Sequence, residues 1–234
     1  FVLKSLFDSE KNARVVFDAV SSCYTFARMV ITYHGGECFK VASGETTLVF
    51  NPIAKGSKFA PVKFGADVAF VSLNHPDFNG IEQVTYGEKA PFLVSGPGEY
   101  EIGNVAARGF GVKTRYDGAE RYNTIYQVTL EGITIVFLGA LGEGAIDAKI
   151  LEQLGDIDIL FVPIGGGDVL DAASASALGV KLEAHVVIPM HYDQKSLAAF
   201  LKEEGGEDAK AQEKLTTKKK ELTEREGDIV VLKA

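Results

Sequence analysis

Through the first part of the chain, apolar residues recur at every second position in short runs, each closed by glycine or another turn former. That period of two predicts strands over Val30–Tyr33, Glu37–Ala42, Thr46–Phe50, Val68–Val71, Phe92–Val94, Glu99–Ile102 and Val105–Val112. Two of the predicted hairpins, 38–50 and 125–137, have the same plan: a strand, a glycine turn, then a second strand ending in an apolar β-branched run. Two similar β-rich halves packed face to face are expected from them.

The second part changes period. Helical spacing runs over Ala145–Leu154, Leu170–Leu182 and Lys195–Glu204, interleaved with the continuous apolar runs Ile157–Val162 and His185–Pro189, which read as buried strands. His185 is expected to pack in its strand. A last strand is expected over Asp228–Leu232, and the polar stretch Gly205–Thr223 before it reads as a surface loop with a helical portion. Helices outside and two sheets inside predict an α/β protein built as a four-layer αββα sandwich, with residues 29–234 as one domain. Residues 1–28 read as an N-terminal extension with Met29 as an alternative start; the competing reading is an amphipathic helix over about 11–20.

Composition changes this picture little and excludes some functions. The 32 acidic and 24 basic residues give a net charge of -8, so no basic face is expected and nucleic acid is not the expected partner. The run Lys218 to Lys220 reads as solvated surface. Two cysteines, Cys23 and Cys38, without a C-x-x-C pair, fit a cytoplasmic protein with buried thiols. No apolar run is long enough to span a bilayer, so no membrane partner is expected.

The candidate chemistry sits where the strand 68–71 runs into a polar turn, Val71-Ser-Leu-Asn-His-Pro-Asp-Phe-Asn-Gly80. His75 and Asp77 are able metal ligands two residues apart, whereas Leu73 and Phe78 beside them can bind nothing. A purely structural reading is also open, with Pro76 fixing the backbone and the Asp77 carboxylate accepting nearby amide protons. The glycine run Gly165 to Gly167 lacks the lysine and spacing of a phosphate loop, and no Gly-x-Ser-x-Gly occurs.

Several segments occur together in a fixed order: Ile31-Thr-Tyr-His-Gly-Gly-Glu-Cys-Phe39, Leu48-Val-Phe-Asn-Pro52, the turn at 72–80, Ser95-Gly-Pro-Gly-Glu-Tyr-Glu-Ile-Gly103, Phe137-Leu-Gly-Ala-Leu-Gly142, Val162-Pro-Ile-Gly-Gly-Gly167 and Val187-Ile-Pro-Met-His-Tyr192. The set resembles the metallo-β-lactamase fold superfamily, in particular its ascorbate-6-phosphate-lactonase-like branch of Zn-dependent hydrolases. The resemblance implies the four-layer sandwich and a two-zinc hydrolytic centre. That family's turn reads His-x-His-x-Asp-His, and its ligand positions fall here at Leu73, His75, Asp77 and Phe78. A later histidine ligand falls near Thr114, the bridging aspartate at Ala140, the last histidine at His191, and a histidine of the first loop at Gly36.

The survivors are divided, because the resemblance assigns His75 to one metal and Asp77 and His191 to the other. Neither site keeps three protein ligands, Ala140 offers no bridge, and Phe78 is expected to fill the metal's cavity with a phenyl ring. The expectation is therefore a homologue with a degenerate active site, non-catalytic, binding a small molecule or a protein, or forming a homo-oligomer. The alternative is a divergent hydrolase of lactones or phosphoesters that keeps a single zinc ion on His75, Asp77 and His191, with Asp77 orienting the metal's water. His34, Glu37, Phe78, Ala140 and Glu143 are expected to line the site in either case.

Overall fold

In β1 (Met29–Tyr33) and β2 (Phe39–Ser43) every second side chain is buried, which is the pattern of strands with one face on a core. These coordinates, a computed structural model, describe residues 28–142 and 146–234. The expected N-terminal extension, Arg28 apart, and Glu143 lie outside the described residues, as does Cys23.

β1 and β2 belong to a six-stranded sheet completed by β3 (Thr46–Phe50), β4 (Val68–Phe70), β5 (Phe92–Val94) and β12 (Leu215–Thr217), in the order β12-β1-β2-β3-β4-β5. The first four of these pair antiparallel and the last three parallel. The second sheet has seven strands: β6 (Gly98–Ile102), β7 (Val105–Tyr116), β8 (Ala119–Leu130), β9 (Ile133–Phe137), β10 (Ile159–Pro163), β11 (Val186–Met190) and β13 (Asp228–Ile229), in the order β13-β11-β10-β9-β8-β7-β6. It too is half parallel, from β9 to β13, and half antiparallel, from β6 to β9. The two look-alike hairpins are β2–β3 and the β8–β9 turn region, one in each sheet.

Phenylalanines lock the sheets face to face. Phe50 of one sheet stacks on Phe137 of the other at 4.9 Å, and Phe39 meets Phe161 at 4.4 Å, all four fully buried. The outer face of the seven-stranded sheet is covered by α1 (Ala148–Leu154), α2 (Ala172–Leu182) and α3 (Gln194–Glu203), each started by an aspartate, Asp147, Asp171 or Asp193, that accepts a backbone N–H of its own first turn. Their buried Leu154, Ala175, Leu182 and Phe200 share a core with Val136, Leu160, Val162 and Val187. Among the described residues, the other sheet's outer layer is built from the loop 51–66 and a 3-10 turn at Ile81–Gln83, which cover Cys38, Val49 and Ala69. No helix among the described residues is long and apolar enough to cross a membrane.

Four expectations are corrected. β7 runs to Tyr116 instead of ending at Val112, because Asp117 and Gly118, at φ 50° and 70°, make a tight turn into β8. The stretch 205–223 is only partly surface: β12 buries Leu215 and Thr217 against β1, and α4 (Lys219–Leu222) buries Leu222 between the sheets. Lys219 leaves the solvated run to donate at 2.7 and 2.8 Å to the buried Asp158 carboxylate, which also accepts from Thr134 N at 2.7 Å. His185 precedes β11 and bonds through Nδ1 to the Arg225 carbonyl at 2.9 Å, so its polar edge is used and it is more than a packing residue.

Candidate functional site

Parallel strands of both sheets deliver their C-terminal ends to one edge, where β3 leads into Asn51, β4 into the turn 71–80, β9 into Leu138–Ala140 and β11 into His191. Loop ends of this kind let side chains distant in sequence converge. Two polar networks and one apolar cluster meet there.

The first network holds His191. Its backbone lies in the left-handed region at φ 51°, and its carbonyl lies so close to Gly165 that no Cβ could stand there. Its N–H donates to Gly36 O at 2.7 Å, and Nδ1–H donates to Glu37 Oε1 at 2.8 Å. Glu37 is fully buried and accepts at its other oxygen from Asn51 Nδ2 at 2.8 Å. Asn51 in turn donates to Ser72 Oγ at 2.9 Å and accepts Ser72 N–H at 2.8 Å.

The second network holds Asp77, which is 2% exposed. Tyr116 Oη donates to its Oδ2 at 2.7 Å, Ser57 Oγ to its Oδ1 at 2.6 Å, and Lys58 N–H reaches Oδ1 at 3.3 Å. The Lys58 ammonium stands 3.7 Å from Oδ2. Burial pushes this carboxyl's pKa up, but the two hydroxyls, His75 and Lys58 outweigh it and hold it below the usual range. Burial and the Asp77 hydrogen bond together push the Tyr116 phenol well up, so it stays a donor. His75 accepts the Asp77 N–H at Nδ1 (3.2 Å), and its Nε2 stands 3.5 Å from Asp117 Oδ2.

Between the networks lies an apolar plug of Leu73, Phe78, Tyr116, Ala140 and Val169, all buried. Phe78 is fully buried and meets the Tyr116 ring edge-on at 4.9 Å. Thr114 Oγ1 donates to Ala140 O at 2.9 Å and accepts Gly142 N–H at 3.2 Å, so this hydroxyl fastens the Ala140 loop. From outside, the segment Ser57–Phe59 straps the site shut. Phe59 sits edge-on to His191 at 5.6 Å, and its ring lies 3.0 Å from where a Cβ on Gly36 would project.

Of the residues expected at the site, His75, Asp77, His191, Glu37, Phe78 and Ala140 are brought to this edge. His34 is not: its ring stacks on Phe64 at 4.9 Å and its Nε2 lies 3.4 Å from Thr32 Oγ1, because Phe64 belongs to the outer layer of the six-stranded sheet. Tyr116, Ser57, Lys58, Phe59 and Asn51 were not foreseen. Tyr116 had a signal, since it lies two residues beyond Thr114 on the same face of β7. The loop carrying Ser57 to Phe59 had none.

The donors present do not suit a zinc ion. Zinc takes three or four N, S or O ligands at about 2 Å. Both Asp77 oxygens are taken by hydroxyls, Glu37 is turned onto His191 Nδ1, and among the described residues no three His, Cys, Asp or Glu side chains are grouped to hold a metal. Beside the plug, a cleft of about 550 Å³ runs past Ser72, Leu73, Asn74, Leu93 and Tyr122, with no charged side chain in its lining.

The chain is similar to proteins of one superfamily. The family profile described as a β-lactamase superfamily domain matches residues 30–191. A UPF0173 metal-dependent hydrolase of Listeria innocua is 26% identical over 199 residues, which is 70% of this chain and 86% of the relative. Among solved structures, a candidate Zn-dependent hydrolase of the metallo-β-lactamase superfamily from Thermotoga maritima has a TM-score of 0.68 and 29% identity, with 87% of this chain and 98% of that one covered. A metallo hydrolase from Ignicoccus hospitalis shares the fold at 18% identity and a TM-score of 0.58, over 82% and 99% of the two chains.

Proposed function

This chain belongs to the β-lactamase superfamily, and we propose that within it the hydrolytic metal centre has been rebuilt as a metal-free binding site. The observation that carries this reading is the plug. Where the family's resemblance calls for ligands, Leu73, Phe78 and Ala140 present carbon, and the surviving Asp77 spends both oxygens on Tyr116 and Ser57. A carboxylate engaged by two hydroxyls at 2.6–2.7 Å is already satisfied, and removing those partners to seat a cation would leave the buried Tyr116 hydroxyl unpaired. The protein's role is then recognition, with the uncharged cleft beside the plug as the place for a small polar ligand or a peptide side chain.

A second reading is favoured by the relatives, which are metal-dependent hydrolases: a hydrolase acting through one metal on His75, Asp77 and His191. The two separate on elemental metal content. Full-length protein is incubated with excess zinc, desalted and measured by mass spectrometry. The metal-free reading expects no stoichiometric metal. Near one ion per chain, lost in His191→Ala, overturns it and supports the hydrolase.

A further inference from the structure

We propose that the mouth of this site receives an organic cation, an alkylammonium or methylated ammonium group, in the place that the Lys58 ammonium holds. The inference rests on the metal-free reading and gives the strap side of the same edge a ligand class of its own, apart from the uncharged cleft. The Lys58 Nζ stands 5.2 Å from the Phe59 ring centroid, 5.3 Å from that of Tyr116 and 3.7 Å from Asp77 Oδ2. Two aromatic faces within about 6 Å of a cation, backed by a carboxylate, form the receptor by which proteins take quaternary ammonium groups.

The walls are fixed and the occupant is not. Tyr116 is fully buried with its hydroxyl locked on Asp77, and Phe59 is wedged between Gly36 and His191. Lys58, by contrast, has a side chain 57% exposed, and its ammonium stands off the carboxylate beyond hydrogen-bond length. Its flexible stem can swing into solvent without moving the backbone that Ser57 and the Lys58 N–H pin to Asp77. Asp117, 72% exposed, stands 3.5 Å from His75, whose ring meets Tyr116 edge-on at 5.1 Å. A departing Lys58 thus vacates a position over the Phe59 and Tyr116 rings and beside the Asp77 carboxylate, which a second cation can take.

The test uses full-length protein, choline chloride and the neutral isostere 3,3-dimethylbutan-1-ol, followed by calorimetry and by NMR of the Phe and Tyr ring protons. Wild type is expected to bind choline and not the alcohol. Lys58→Ala is expected to bind choline roughly tenfold more tightly, since its internal competitor is gone, and Phe59→Ala roughly tenfold more weakly than wild type. Lys58→Ser serves if the alanine variant fails to fold. Binding of neither ligand, equal binding of both, or binding by the Lys58 variants alone overturns the proposal, the last because it makes Lys58 a permanent part of the wall. Metal content on the same samples keeps the failures apart: a metal-free protein that ignores choline sinks this inference only, whereas stoichiometric metal sinks the reading beneath it.

Discussion

Replacing Tyr116 with phenylalanine removes one oxygen from the centre of the candidate site and little else. The ring keeps its contacts with Phe78 and His75, at 4.9 and 5.1 Å, while Asp77 Oδ2 loses its 2.7 Å donor. A buried hydrogen bond to a charged group contributes about 1.5–3 kcal/mol. For a chain of this size about 2 kcal/mol lowers Tm by about 4–8 °C. The pH dependence carries the sharper signature. The Asp77 pKa is depressed in the folded protein, so the stability it contributes is present above its unfolded value, near 3.8, and is lost as pH falls through the lower folded value. Tyr116→Phe lets the folded value rise back, so the gap between wild type and variant should be full at pH 7 and narrow below about pH 4. Urea melts of both proteins from pH 7 to pH 3 read this directly. Equal stability at pH 7, or a gap that stays constant into acid, would refute the claim that the phenol is the partner of an ionised Asp77.

Three further outcomes are expected. Phe78→Ala opens a void among Leu73, Tyr116, Ala140 and Val169 and should cost about 3–5 kcal/mol in urea unfolding; a loss under about 1 kcal/mol would mean that the plug is not packed. Lys219→Ala leaves the buried Asp158 carboxylate with Thr134 N as its remaining partner, and because the lysine is 44% exposed the loss should be about 1–3 kcal/mol, measurable by thermal melts and restored by Lys219→Arg more than by Lys219→Met. Gly139→Ala places a methyl onto Asn123 Oδ1 and the Ser72 side chain at φ 60°, so soluble yield and Tm should both fall, while Gly118→Ala, whose Cβ would meet open space, should show only the smaller strain of its turn.

Much of the fold was legible because alternation and glycine punctuation are local signals. β3 and β5 were expected over their observed bounds, and β1 and β4 to within a residue. β12 was missed because Leu215-Thr-Thr217 is three residues long inside a charged segment, and its strand character comes from pairing with β1, a tertiary effect. The end of β7 could have been read from Asp117-Gly118, a turn signal flanked by alternating residues. At the site, the carbon side chains of Leu73, Phe78 and Ala140 were visible in the sequence as departures from the ligand positions that the resemblance implies. The polar partners around them were not. Tyr116 reaches Asp77 from 39 residues away and Glu37 reaches His191 from 154, and such partnerships exist only once the sheets have packed. The strap 57–59 lies in a loop with no periodicity, so its latch on Asp77 could not be anticipated from spacing.

The central claim is that carbon and hydroxyl groups now occupy the place of a metal centre. Diffraction at the zinc absorption edge, from crystals of the full-length protein grown with excess zinc, tests it at the atoms concerned. The account expects no anomalous peak among His75, Asp77 and His191, with Tyr116 Oη still donating to Asp77. A peak ligated by any two of those three residues, with Tyr116 or the 57–59 strap displaced to admit it, would contradict it.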